Sequence, residues 1–178
     1  MTLRAQPPDR VVTLDHAPDV VTLDHAPDVA AVDDPRLLRL ASDHGLTVAF
    51  LHHVGDFVPE GAPLLAIWSR TGEPLPEDLP AGRLAGTVEI GSERTMTQDA
   101  AFGFRQIVDI AAKALSPGVN DPTTAVQALH QIHDPLRRLP TRRVPSPFRL
   151  DERGEILLSL PRPGWPDYVA RAIDEIRQ

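Results

Sequence analysis

GSERTMTQDAAFGFRQIVDIAAKALSPGVNDPTTA, residues 91–125, carries the densest run of helix-start, helix-stop and turn signals in the chain. Thr95 and Gln98 stand at capping-box spacing, a hydroxyl placed to accept a backbone N–H and an amide placed to reach back, which predicts a helix beginning near Met96. Phe104, Ile107, Val108, Ala111, Ala114 and Leu115 recur at helical steps and line up as one buried stripe. Gln98, Phe102, Arg105, Gln106, Asp109 and Lys113 fall on or beside the other face, where Arg105 and Asp109 are spaced to pair. The helix stops at Ser116-Pro117-Gly118, because proline removes a donor and steers its predecessor out of the helical region, while glycine accepts a positive φ. Asp121 is a good N-cap and Pro122 suits a first helical position. Ala125, Ala128, Leu129, Ile132, Leu136 and Leu139 then form a second apolar stripe, so the expected product is an antiparallel helix pair joined by a tight SPGVND corner.

The corner supports two readings. In one, Ser116, Pro117, Gly118, Asn120, Asp121 and Pro122 are a helix stop followed by a helix start, and capping uses up their chemistry. In the other, Ser116, Asn120 and Asp121 join Arg94, Gln98, Asp99, Arg105 and Asp109 in a polar cluster that binds a ligand. A helix N-terminus favours anions, but Asp121 at that end argues against a simple phosphate cradle.

The string RTMTQDAAFGFRQIVDIAAKALSPGVNDPTTA resembles the signature of the family called domain of unknown function 2254, predicted bacterial membrane proteins. Arg94, Thr95, Gln98, Asp99, Gly103, Arg105, Gln106, Asp109, Ala114 to Gly118, Asn120 to Pro122 and Thr124 match its pattern, with weaker similarity from about Val29 to the end of the chain. The resemblance implies a family placed in the cell membrane, with an N-terminal set of transmembrane helices and a continuation past the last helix here. On that basis the chain is expected to be a soluble portion, truncated at both ends or separately encoded, cytoplasmic or peripheral to the membrane. The implied partner is a membrane-embedded segment or subunit of the same family, or a second copy in a homo-oligomer.

Composition fits a soluble piece of 178 residues, enough for one domain or two small subdomains sharing a core. No run approaches the roughly 18 apolar residues that span a bilayer, and the N-terminus lacks the basic-then-apolar order of a signal peptide. A formal net charge of -7 disfavours nonspecific nucleic-acid binding. The absence of cysteine removes disulfides and thiolate metal sites. Lys113 is the only lysine among 18 basic residues, so a P-loop, a Schiff base or a carrier-lysine attachment would each depend on a position inside a helix. No cofactor is expected.

Three regions follow. Residues 1–28 are a disordered or edge segment containing VVTLDHAPD twice, at Val11 to Asp19 and Val20 to Asp28; one duplication is too short for a solenoid. His16 and His25 each follow an aspartate through that repetition alone. Residues 29–90 are a small β-rich subdomain with a short helix capped at Asp34-Pro35 and stopped at Gly45. Its strands are LTVAFLHHV, a second in VPEGAPLLAIW and a third in LAGTVEI, with a turn resembling those of barrel-sandwich domains. His52 and His53 are adjacent in a strand and cannot chelate one metal together. Residues 91–178 hold the helix pair, a hairpin PFRLDERGEILLSL turning at Gly154, and a last helix from about Pro166 with Val169, Ile173 and Ile176 inward. The fold class is therefore α+β.

His130 and His133 sit three apart with no evident third ligand, so no metal site is assigned. Arg137, Arg138, Arg142 and Arg143 complement a helix C-terminus or contact anionic lipid heads. The preferred function is a non-enzymatic module whose polar helix corner binds a small ligand or partner segment. One alternative is a hydrolase using Ser116 or the Asp109/Asp121 carboxylates, against which stand the missing G-x-S-x-G elbow and Ser/His pairing. The other is a non-functional gene fragment.

Overall fold

A computed structural model describes residues 19–22, 28–71, 73–75, 79–91, 96, 98–174 and 176–177. The N-terminal stretch, most of the first nonapeptide copy, His16, His25, Arg94 and Thr95 lie outside the described residues. In chain order the elements are β1 (Asp19–Thr22), β2 (Asp28–Val32), α1 (Asp34–Asp43), β3 (Leu46–Phe50), β4 (Pro63–Ser69), α2 (Ala81–Ala85), β5 (Val88–Gly91), α3 (Ala100–Leu115), α4 (Pro122–Arg138), β6 (Phe148–Leu150), β7 (Ile156–Ser159) and α5 (Trp165–Ile173). The protein is α+β.

Five strands form one sheet in the order β1-β4-β3-β7-β6, all antiparallel except β3 and β7, which run parallel with Val48 beside Leu158. In β3 the buried Leu46, Val48 and Phe50 alternate with half-buried residues, while Leu64 to Ile67 of β4 are buried without a break, the pattern of a strand covered on both faces. α1 lies against β3 and β7 through Leu37, Leu40 and Ala41. β2 and β5 make a separate two-stranded ribbon whose register shifts between Val29 and Ala31.

Several local expectations change. The cap of α1 is Asp33, whose carboxylate accepts from the Arg36 amide at 3.0 Å; Asp34 instead receives Arg149 and Arg162 at 2.9 and 2.7 Å. Gly45 ends α1 with φ +62 as expected. LAGTVEI is only half strand, because Leu84 is buried from the short helix α2 and the Thr87 hydroxyl closes its end by donating to the Leu84 carbonyl at 2.6 Å. The β6–β7 hairpin, grouped above with the helices, completes the sheet of the β-rich part. Thr47 Oγ1 donates to the Ile156 carbonyl at 2.9 Å, and Arg70 clamps the hairpin by pairing with Asp151 and, at 2.9 Å, with Glu155.

The helices build a second core from Phe104, Val108, Ile132 and Ala172, with the Tyr168 ring 5.8 Å from that of Phe104. Burying a side chain such as Ile132 contributes about 1.5–3 kcal/mol. Ala111, Ala114, Ala125 and Ala128 are the buried residues nearest the corner, and the larger Leu115 and Leu129, expected inside, are 49% and 39% exposed. α3 starts at Ala100, later than the Met96 expectation. Its cap is Asp99, which accepts from the Phe102 amide at 3.0 Å, and Gln98 is spent elsewhere: its carboxamide accepts from the Val32 amide at 3.1 Å and donates to the Val32 carbonyl at 3.3 Å. α5 begins at Trp165, where the Asp167 carboxylate accepts from the Gly164 amide at 2.7 Å. Val169, Ile173 and Ile176 are partly buried, and Ala172 is the fully buried residue of α5.

Candidate functional site

The SPGVND corner engages its serine hydroxyl, its aspartate carboxylate and part of its backbone within itself and the adjoining helix ends. Ser116 Oγ donates to the Lys113 carbonyl at 2.7 Å, the Asn120 amide to the Ser116 carbonyl at 2.9 Å, and the Asp121 amide to the Ala114 carbonyl at 2.8 Å. The left-handed residue is Asn120, φ +47, and not Gly118; asparagine tolerates that region better than other side-chain-bearing residues. Asp121 Oδ1 accepts from the Thr123 and Thr124 amides, both at 3.1 Å, and the Thr124 hydroxyl donates to Oδ2 at 2.5 Å. Those bonds, the Thr124 hydroxyl first, hold the Asp121 carboxyl below its ordinary range.

The expected polar cluster is not one pocket. Ser116, Asn120 and Asp121 sit at one end of α3, whereas Gln98 and Asp99 sit at the other; the 16 residues between span about 24 Å at the helical rise. Arg105 and Asp109 form an ion pair, Nε to Oδ1 2.9 Å, on the open face in between. Arg94 lies outside the described residues. Among the described residues Ser116 has no histidine as a bonding partner, and Asp109 and Asp121 are held by different groups. His130 and His133 are exposed, and among the described residues no group of His, Cys, Asp or Glu is arranged to hold a metal. Arg137 and Arg138 both pair with Asp134, at 3.1 and 2.9 Å, and Arg137 leads the causes that lower the Asp134 carboxyl.

Gln98 and Asp99 face a cavity of about 230 Å³ between the sheet and the helices. Buried Val32, Phe50 and Leu160 are part of its lining, and Asp34, Arg142, Arg143, Arg162 and Tyr168 supply polar groups. Asp34 engages Arg162, but Arg142 and Arg143 have no carboxylate partner among the described residues. The Tyr168 hydroxyl makes no hydrogen bond with a described residue. Burial, and then the nearby Asp99 charge, push its ionisation upward, so it stays a proton donor. The sequence pointed to Gln98, Asp99, Arg142 and Arg143 separately; Asp34, Arg162 and Tyr168 come from distant segments, and the proline-rich LPRPGWP run was the one local sign that a loop turns there.

Among the described residues, no helix is long and apolar enough to cross a membrane. Residues 5–178 match the family model described as "Predicted membrane protein (DUF2254)". The chain is 40% identical over 144 residues to uncharacterized proteins of Mycobacterium bovis and Mycobacterium tuberculosis, covering 80% of this chain and 27% of each relative. An uncharacterized protein of Mycobacterium tuberculosis strain CDC 1551 is 41% identical over 134 residues, 74% of this chain and 26% of its own. The chain thus spans about a quarter of the length of the curated relatives it matches. No solved structure matches it.

Proposed function

The chain belongs to the domain of unknown function 2254 family of predicted membrane proteins, and from that premise we propose that it is an extramembrane, non-enzymatic module that binds a small anion in the cleft between sheet and helices. The observation carrying this reading is the pair Arg142 and Arg143, two cations without a carboxylate partner among the described residues, on the wall of a cavity. The cavity lining holds three arginines against two aspartates in a chain of formal charge -7, so the cleft is locally positive. The helix corner is a weaker candidate, since its hydroxyl and carboxylate are engaged in capping. The same engagement weighs against a hydrolase built on Ser116 or on Asp109 and Asp121.

The test is thermal unfolding in phosphate against chloride at matched ionic strength, on the wild type and on the Arg142→Ala/Arg143→Ala double variant. Both arginines are exposed, so the variant is expected to fold. Phosphate should stabilise the wild type in a saturable way, by about 2.7 kcal/mol at a hundred times its Kd, and the double variant not at all. An equal response in the two proteins defeats the proposal.

A further inference from the structure

We infer that the anion taken by this cleft is the head of an amphiphile, a phosphate- or carboxylate-bearing group carrying a short apolar tail; this deepens the anion-binding reading above and rests on it. Exposed Val144 and half-buried Val54 and Leu139 give the cavity an accessible apolar wall, over a floor of Val32, Phe50 and Leu160 that are each less than a tenth exposed. A bare hydrated anion would leave that surface facing water, whereas a tail would cover it. A water needs about 10–15 Å³ measured in the same way, so the 230 Å³ cavity has room for a phosphate and for apolar atoms beside it. It therefore accepts a head and the first few methylenes.

The polar groups suit such a head. Two guanidinium forks can each present paired N–H donors to phosphate or carboxylate oxygens, and the Tyr168 hydroxyl adds a third donor that no described residue uses. The two carboxylates of the lining are already committed, Asp34 to Arg149 and Arg162, and Asp99 to the Phe102 amide at the start of α3. Apolar lining, cationic rim and a neutral donor thus converge from β2, β3, the segment after α4 and α5.

The experiment is titration calorimetry with hexyl phosphate, inorganic phosphate and hexanol. Hexyl phosphate should bind about tenfold or more tighter than inorganic phosphate, because burying two methylenes suffices for that factor, and hexanol should bind weakest. Val54→Asn, polar but uncharged, should weaken hexyl phosphate and leave inorganic phosphate unchanged, while Arg142→Ala/Arg143→Ala should weaken both. Equal affinity for hexyl phosphate and inorganic phosphate overturns the amphiphile and leaves the anion reading standing; binding of neither overturns both. Sedimentation with phosphatidylcholine vesicles, with and without phosphatidylglycerol, separates the sources. Capture by the anionic vesicles, relieved by hexyl phosphate, supports a bilayer lipid, and hexyl phosphate binding without capture supports a soluble amphiphile.

Discussion

Replacing Gln98 with alanine removes a side chain that acts as a short piece of strand. Val32 is only 4% exposed, and both polar groups of its backbone are bonded to the Gln98 carboxamide, at 3.1 Å for its amide and 3.3 Å for its carbonyl. A neutral hydrogen bond contributes about 0.5–1.5 kcal/mol net. The longer of the two is the weaker, and Gln98 is itself exposed, so water can replace part of what is lost. The expected loss is about 1–2 kcal/mol, from the same range for two bonds. Urea unfolding should show a lower midpoint at unchanged slope, and amide exchange at Val32 should accelerate. Gln98→Glu should also destabilise, because a carboxylate can accept from the Val32 amide but offers the Val32 carbonyl no donor and sets an anion against it. Were Gln98 a capping-box partner instead, protection would be lost in the first turn of α3. A midpoint shift worth less than about 0.3 kcal/mol, within the usual scatter of such comparisons, with unchanged exchange at Val32, would refute the reasoning.

Asn120→Gly should change thermal stability by a few tenths of a kcal/mol at most, while Asn120→Ala should destabilise by about 1 kcal/mol, since φ +47 lies in the left-handed region that alanine tolerates less well than asparagine or glycine; the opposite order in a melting comparison would sink this account of the corner. The Asp151 carboxyl is held below its ordinary range by the Glu155 amide first, with the Arg70 guanidinium and the Arg153 amide adding to it. Its contribution is therefore complete above the usual carboxylate value near about 4 and is lost as pH falls through the lower folded value. Acid should loosen the hairpin of the wild type, followed by NMR, in a window where Asp151→Asn shows no step; identical acid profiles would contradict it.

The helix pair was legible because its signals are local: Asp121-Pro122 starts α4, Ser116-Pro117 stops α3, and the alanine and β-branched stripe marks the seam. The start of α3 was misplaced because the sequence offers Gln98 a partner three residues away, while the structure gives it one 66 residues away. The same cause hid β7 beside β3, since a parallel pairing leaves no turn signal between its strands. LAGTVEI failed in another way, its β-formers masking a single helical turn that buries Leu84. The cleft could not be read from any one stretch. Arg142 and Arg143 stood out as charges at a helix end, but that they line one cavity with Tyr168 and Phe50 depends on how the last helix returns to the sheet.

That late return of the chain has a cost during synthesis. β3 is made early, yet the strand that fills its second edge comes from residues 156–159, and the contact between Thr47 and Ile156 joins positions 109 apart. A growing polypeptide must carry β3 and β4 as an unfinished layer while most of the remainder is still being translated. Unpaired amides and carbonyls along β3 are open to a neighbouring nascent chain throughout that interval.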